Sequence, residues 1–253
     1  MIDRSRSQLR LPVDIVSEAL RQASGQGLAS PLAAVRLETG GLMSDGELDP
    51  QAADLLRVIA AASLVVAVDV QFRTDQSLTT IWATPSHAVV TSSLDPGLVD
   101  VAAIRLTRLP ETLSDVILLG RPAPSESRPV TVPISMLGIV EDTGDPVTGR
   151  EALTAAGIAP DAVERLLVFG SPTTRRWRIS STWATDEGPR TAELRGLDAF
   201  EQGQWLMELS GHRAGTEMVF TPQGDGDVLR ALRGVLPRHW VGTALNLGTN
   251  WTP

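Results

Sequence analysis

The chain has 253 residues, 42% of them hydrophobic, enough to bury a core in one large domain or in two packed halves. It contains no cysteine and no lysine, which excludes disulfides, thiolate metal sites, cysteine nucleophiles, Schiff bases and a phosphate-loop lysine. A net charge of −8 opposes nonspecific binding to nucleic acid or anionic membrane, and no run approaches the roughly 20 apolar residues that span a bilayer. The opening MIDRSRSQLRLPVD has no secretory pattern, so a soluble cytoplasmic protein is expected.

In chain order, SQLRLPVDIVSEAL (Ser7 to Leu20) predicts a short strand followed by a helix entered at Pro12 and Val13, since proline suits a first turn. A second helix is expected over Pro31 to Met43, stopped by Gly40 and Gly41. In DPQAADLLRVI, Asp49 is the expected N-cap, Pro50 lies in the first turn, and Ala52, Leu55, Leu56 and Ile59 share a face. This helix leads into Leu64 to Ser93, read as a three-strand meander. Val66, Val68, Val70 and Phe72 alternate with polar or small residues, and RTDQS (Arg73 to Ser77) is the expected hairpin connection. A fourth strand (Val99 to Arg108) follows, then a helix with Pro110 in its first turn and Gly120 as its stop.

RPAPSESRP (Arg121 to Pro129) and IVEDTGDPVTG (Ile139 to Gly149) are rich in turn formers, so a linker is expected over about 121–149, around the short apolar element VTVPISML. Beyond it the pattern restarts. APDAVERLLVF aligns without a gap on DPQAADLLRVI, Pro160 matching Pro50 at an offset of 110. Strand-like runs RRWRISSTWA, TAELRGLDAF, QWLMELS and EMVFT follow, then a helix starting at Pro222, which matches Pro110 at an offset of 112. The expectation is one α+β domain of two pseudo-repeat halves, about 1–120 and 150–237, with a tail over 238–253.

No catalytic motif is present: G-x-S-x-G, G-x-G-x-x-G after a strand and G-x-x-x-x-G-K-[ST] are all missing. His87, His212 and His239 lack partners at metal-ligand spacing, and Asp225 and Asp227 resemble the start of a calcium loop but lack its closing acidic ligand, so helix capping is the better reading. Arg175, Arg176 and Arg178 interleave with Trp177 and Ile179, as on the solvated face of a strand rather than a nucleic-acid strip. The six tryptophans read chiefly as core, although Trp82, Trp177, Trp183 and Trp205 fall on strands and some could face outward. Neither a metal nor a cofactor is expected. Two readings stand beside a binding protein: a small enzyme whose Asp69, His87 and Arg178 converge between the halves, and a structural protein that dimerises through a sheet edge.

The order of several passages resembles the EspG family, the cytosolic chaperones associated with ESX (type VII) secretion in actinobacteria. They are SQLRLPVDIVSEAL, GGLMSDGELDPQAADLLRVIAAASLVVAVDVQF, RPVTVPISML, ALTAAGIAPDAVERLLVF and FEQGQWLMELSGHRAGTEMVFTPQGDGDVLRALRGVLP. The resemblance implies a central antiparallel sheet flanked by two helical bundles with quasi-two-fold symmetry, and no catalysis. It also implies a PE–PPE heterodimer as partner, docked by the tip of its PPE subunit, kept soluble and routed to the secretion machine. The loop that reaches the partner in the family corresponds here to Arg73, Thr74, Asp75, Gln76 and Ser77, a short version of it. The closing helix, with Val228, Leu229, Leu232 and Val235, offers further contacts, of which Val228 and Leu232 are the candidates. Core packing is the competing reading for Leu229 and Leu232. The free protein is expected to be a monomer or dimer.

Overall fold

Leu64, Val66, Val68 and Val70 are buried along one side of a nine-residue strand, β5 (Leu64–Phe72), whereas Val65, Ala67 and Asp69 on its other side are half-buried. The period of two in the sequence therefore reflects a sheet covered more fully on one face than on the other. The structure is a computed structural model and describes residues 2–3, 8–26, 31–95, 97–138, 146–212, 215–224, 226–238 and 240. Asp225, His239, residues 139–145 and the tail beyond 240 lie outside the described residues.

The first half contains β1 (Ile2–Asp3), β2 (Gln8–Pro12), α1 (Val13–Ala23), α2 (Pro31–Thr39), a small hairpin of β3 (Met43–Ser44) and β4 (Glu47–Leu48), and α3 (Pro50–Ala60). After β5 come β6 (Asp75–Ala83), β7 (Ala88–Asp95), β8 (Leu98–Ile104) and α4 (Leu109–Ile117). The second half contains β9 (Val130–Pro133), α5 (Pro146–Ala155), α6 (Pro160–Gly170), β10 (Arg175–Thr185), β11 (Gly188–Asp198), β12 (Gln204–His212), β13 (Gly215–Pro222) and α7 (Asp227–Gly234). Among the described residues, eleven strands make one sheet in the order β1-β2-β8-β7-β6-β5-β10-β11-β12-β13-β9. Every pairing in it is antiparallel. Outward from the central β5–β10 pair, the order β6-β7-β8-β2 on one side answers β11-β12-β13-β9 on the other.

Three apolar clusters fix the layers. On the face bearing Val66, Val68 and Ile179, α4 contributes Leu109, Leu113 and Ile117 and α7 contributes Val228 and Leu232. On the opposite face, α1, α2 and α3 bring Ile15, Leu37, Leu56 and Ile59 onto Leu9, Leu11, Val89 and Val101. On that same face, α5 and α6 bring Leu153, Val163, Leu166 and Phe169 onto Val130, Val132, Trp205 and Phe220. The result is a mixed α+β fold with helices on both sides of a large antiparallel sheet. Between the two helical groups no helix among the described residues covers this sheet face. No helix among the described residues is long and apolar enough to cross a membrane.

Local chemistry explains the best-read elements. The Asp49 carboxylate accepts from the Gln51 and Ala52 amides at 2.9 and 3.3 Å, and Pro50 opens α3 where its missing N–H has no helical partner. Other expectations are corrected. The turn after β5 is two residues, Arg73 and Thr74, and Asp75, Gln76 and Ser77 already pair in β6. α4 ends at Ile117 and Leu118 takes the left-handed cap two residues before Gly120. α5 begins at Pro146, inside the stretch expected to be loosely ordered, and is tied to α6 by the Arg150–Glu164 pair at 2.8 and 2.9 Å. Pro222 closes β13 opposite Trp205, and α7 starts only at Asp227. The matching element starts are Pro50 and Pro160, Leu64 and Arg175, Ala88 and Gln204, and Leu109 and Asp227, so the offset grows from 110 to 118 as the second half's strands and turns lengthen.

Candidate binding surface

Arg178 lies directly opposite Asp69 across the central strand pair, and Ser180 opposite Ala67. On β11, Arg195 faces Arg178 and Glu193 faces Ser180, so the uncovered strip carries alternating charges and hydroxyls. The Asp69 carboxylate accepts both of its contacts from the Gln76 side-chain amide, at 2.9 and 3.0 Å, and Arg195 pairs with Glu193. Arg176 turns back to donate to the Phe169 carbonyl at 3.1 Å. A shallow depression of about 220 Å³ lies among Asp69, Gln71, Arg178, Arg195 and Met207. Leu78 and Leu209 add exposed apolar side chains to the same face. This is an extended surface of mixed character, bounded on both sides by helices, and not a pocket that converges on one reacting atom.

The Arg73–Thr74 turn rises at one end of this strip. Arg73 has φ 57°, at a turn position that glycine usually takes in a hairpin of this length. Its guanidinium lies 5.1 Å from the centre of the Phe72 ring, and that of Arg175 lies 5.6 Å from the same ring. Arg175 is also 3.6 Å from Asp198, whose carboxyl is pushed up by burial, with the guanidinium pulling the other way. Arg73, Thr74, Asp75, Gln76 and Ser77 are all exposed, and Gln76 links this turn to Asp69 on the open face.

Val228 and Leu232 are elsewhere. They are 4% and 0% exposed and pack under the covered face with Leu113 and Ile117, so they are core and not contact residues. An amphipathic period shows that a helix has a buried face without showing whether a partner or the protein's own sheet buries it. The four strand tryptophans likewise join the interior. Trp177 and Trp205 are buried, Trp183 is half-buried, and half-buried Trp82 donates to the Thr91 hydroxyl at 3.1 Å. Asp227 is the first residue of α7, and its carboxylate accepts the Gly224 amide at 2.9 Å.

Asp69, His87 and Arg178 do not converge. Asp69 and Arg178 share the open strip, whereas His87 sits in the β6–β7 turn at the other end of β6. There it lines a separate cleft of about 1060 Å³ between α3, that turn and the segment after β8, with its Nδ1 2.7 Å from the Ser86 hydroxyl. The apolar exposure of Leu118 and Phe200 was not foreseen, because nothing local distinguishes them from core residues.

A comparison with curated protein sequences finds no match. Among solved structures, the chain is similar to the Mycobacterium tuberculosis type VII secretion system chaperone EspG5, solved in complex with a PE25-PPE41 dimer. The identity is 13%, the TM-score 0.64, and the match covers 91% of this chain and 97% of that one. The model of the EspG family matches residues 6–234, and the chain therefore belongs to the EspG family.

Proposed function

We propose that this protein is a cytosolic chaperone of type VII secretion that binds a PE–PPE heterodimer, keeps it soluble and directs it to the secretion machine. The observation that carries this reading is an uncovered sheet face, flanked by helical groups and crowned by an exposed turn, in a chain that belongs to the EspG family. EspG5, which has this fold, was captured with such a dimer. A wide strip of mixed polarity suits a helical protein partner better than a small substrate, and membership in a chaperone family implies binding rather than catalysis. In this reading Arg73, Thr74, Asp75, Gln76 and Ser77 reach the partner. The two halves, about 1–120 and 150–237, descend from a duplication, a view supported by the answering strand orders around β5 and β10. Dimerisation through a sheet edge is disfavoured at β9, which is four residues long, follows Pro129 and ends at Pro133.

The test is co-expression with the PE and PPE pairs of the source genome, followed by affinity capture of this protein. One pair recovered with one copy of each chain supports the reading. A folded, soluble protein that captures no pair contradicts it.

A further inference from the structure

Four described residues other than glycine have a positive φ: Asp45, Arg73, Leu118 and Phe200. Asp45 precedes Gly46 in the β3–β4 turn, where aspartate is at home. The other three are an arginine, a leucine and a phenylalanine, types that rarely adopt this backbone. All three are brought together around one side chain, Arg175. Its Nη1 donates to the Leu118 carbonyl at 2.9 Å, its guanidinium lies on the Phe72 ring that also carries Arg73, and it neighbours Asp198, whose carboxylate accepts the Phe200 N–H. The Phe200 turn is also clamped from behind. Gly203 lies so close to Pro122 and Ala123 that a Cβ there would sit 2.4 Å from the Pro122 carbonyl oxygen.

This strained edge presents apolar side chains to solvent. Phe200 is 77% exposed and Leu118 58%, and the neighbouring segments carry the exposed charges of Arg73, Asp75, Arg121 and Glu201. Projecting apolar groups beside charges of both signs have the anatomy of a protein interface, whereas a membrane or nucleic acid would call for one sign. The edge lies at the end of β5 and β10 on the side of the sheet that α4 covers, and it meets the open strip of the other side only around the Phe72–Asp75 turn. Since Leu118 and Phe200 project, the occupant must supply the hollow, and a groove between two packed helices supplies one. We propose that Leu118 and Phe200 are the apolar anchors of the docking surface, held outward by Arg175, and that they insert between helices at the tip of the PE–PPE partner. This rests on the function proposed above.

Leu118→Gly and Phe200→Gly test it, because glycine suits both backbones and a merely structural role predicts unharmed behaviour. With the pair that the wild type captures as probe, each variant should keep or raise the melting temperature yet weaken binding about tenfold, the double variant more. Wild-type affinity in the double variant overturns the anchors while leaving the chaperone reading intact. Capture of no pair by the wild type overturns the chaperone reading and this occupant together. Reversible self-association that the glycine variants abolish would make the occupant a second copy and overturn the proposal.

Discussion

Leu232→Ala separates a core α7 from a partner-binding one. The side chain is 0% exposed and packs in the cluster containing Val66, Leu113, Ile117 and Val235. Removing three carbons forfeits about 2.4 kcal/mol of transfer free energy at ~0.8 kcal/mol each, and a cavity beneath a rigid sheet brings the expected loss to about 3–4 kcal/mol. For a chain of this size that corresponds to a melting temperature lower by about 6–8 °C. Half-buried Leu229, cut in the same way, should cost about 1 kcal/mol. Thermal unfolding followed by circular dichroism, with reversibility checked, reads both. A Leu232→Ala protein that melts with the wild type but no longer captures a partner would refute the placement of α7.

Further outcomes follow from other contacts. Gly196→Ala would put a Cβ 2.3 Å from the Trp177 ring and should destabilise by about 1–3 kcal/mol, with Trp177→Leu partly restoring stability in the double variant; additive losses in a denaturant cycle would contradict this packing. Asp49→Ala removes the cap of α3 and should cost about 1 kcal/mol, read from the urea midpoint. The Arg10 guanidinium, donating to Asp100, holds that carboxyl below its ordinary value of 3.8. Its contribution is therefore complete above that value and fades as pH falls through the lower folded one. Asp100→Asn should be less stable than the wild type near neutrality, and the gap should close under strong acid; a gap that widens with acid would contradict the pair.

The legible parts of the fold were those in which a local rule and the tertiary packing agree. Asp49-Pro50 starts α3 by a cap that neighbouring residues complete, and the alternation in β5 survives because one face is buried along its length. Misreadings arose where distant contacts overrode a local signal. Gly120 looked like the stop of α4, yet Leu118 takes the left-handed position under a hydrogen bond from Arg175, 57 residues away. The Gly- and Thr-containing start of α5 reads as loop until Arg150 finds Glu164 on α6. Pro222 suits a first helical turn equally well as the last pairing position of a strand, which needs no further ladder donor. Of the candidate site, the exposed turn at Arg73 was readable from its polar run. The orientation of Val228 and Leu232 was not, since periodicity names a face and not its occupant. The open strip exists only because β5 and β10, whose starts lie 111 residues apart, pair at the centre and leave the two helical groups at the flanks.

The most direct measurement is a hydrogen-exchange footprint of the purified complex with its PE–PPE pair, compared with the free protein. New protection is expected at the Arg73–Thr74 turn, along the exposed side of β5 and β10, and at Leu118 and Phe200, with α7 unchanged beyond its native protection. Protection confined to the outer faces of α1 and α2 or to the cleft beside His87, with the open strip exchanging as in the free protein, would contradict this docking surface.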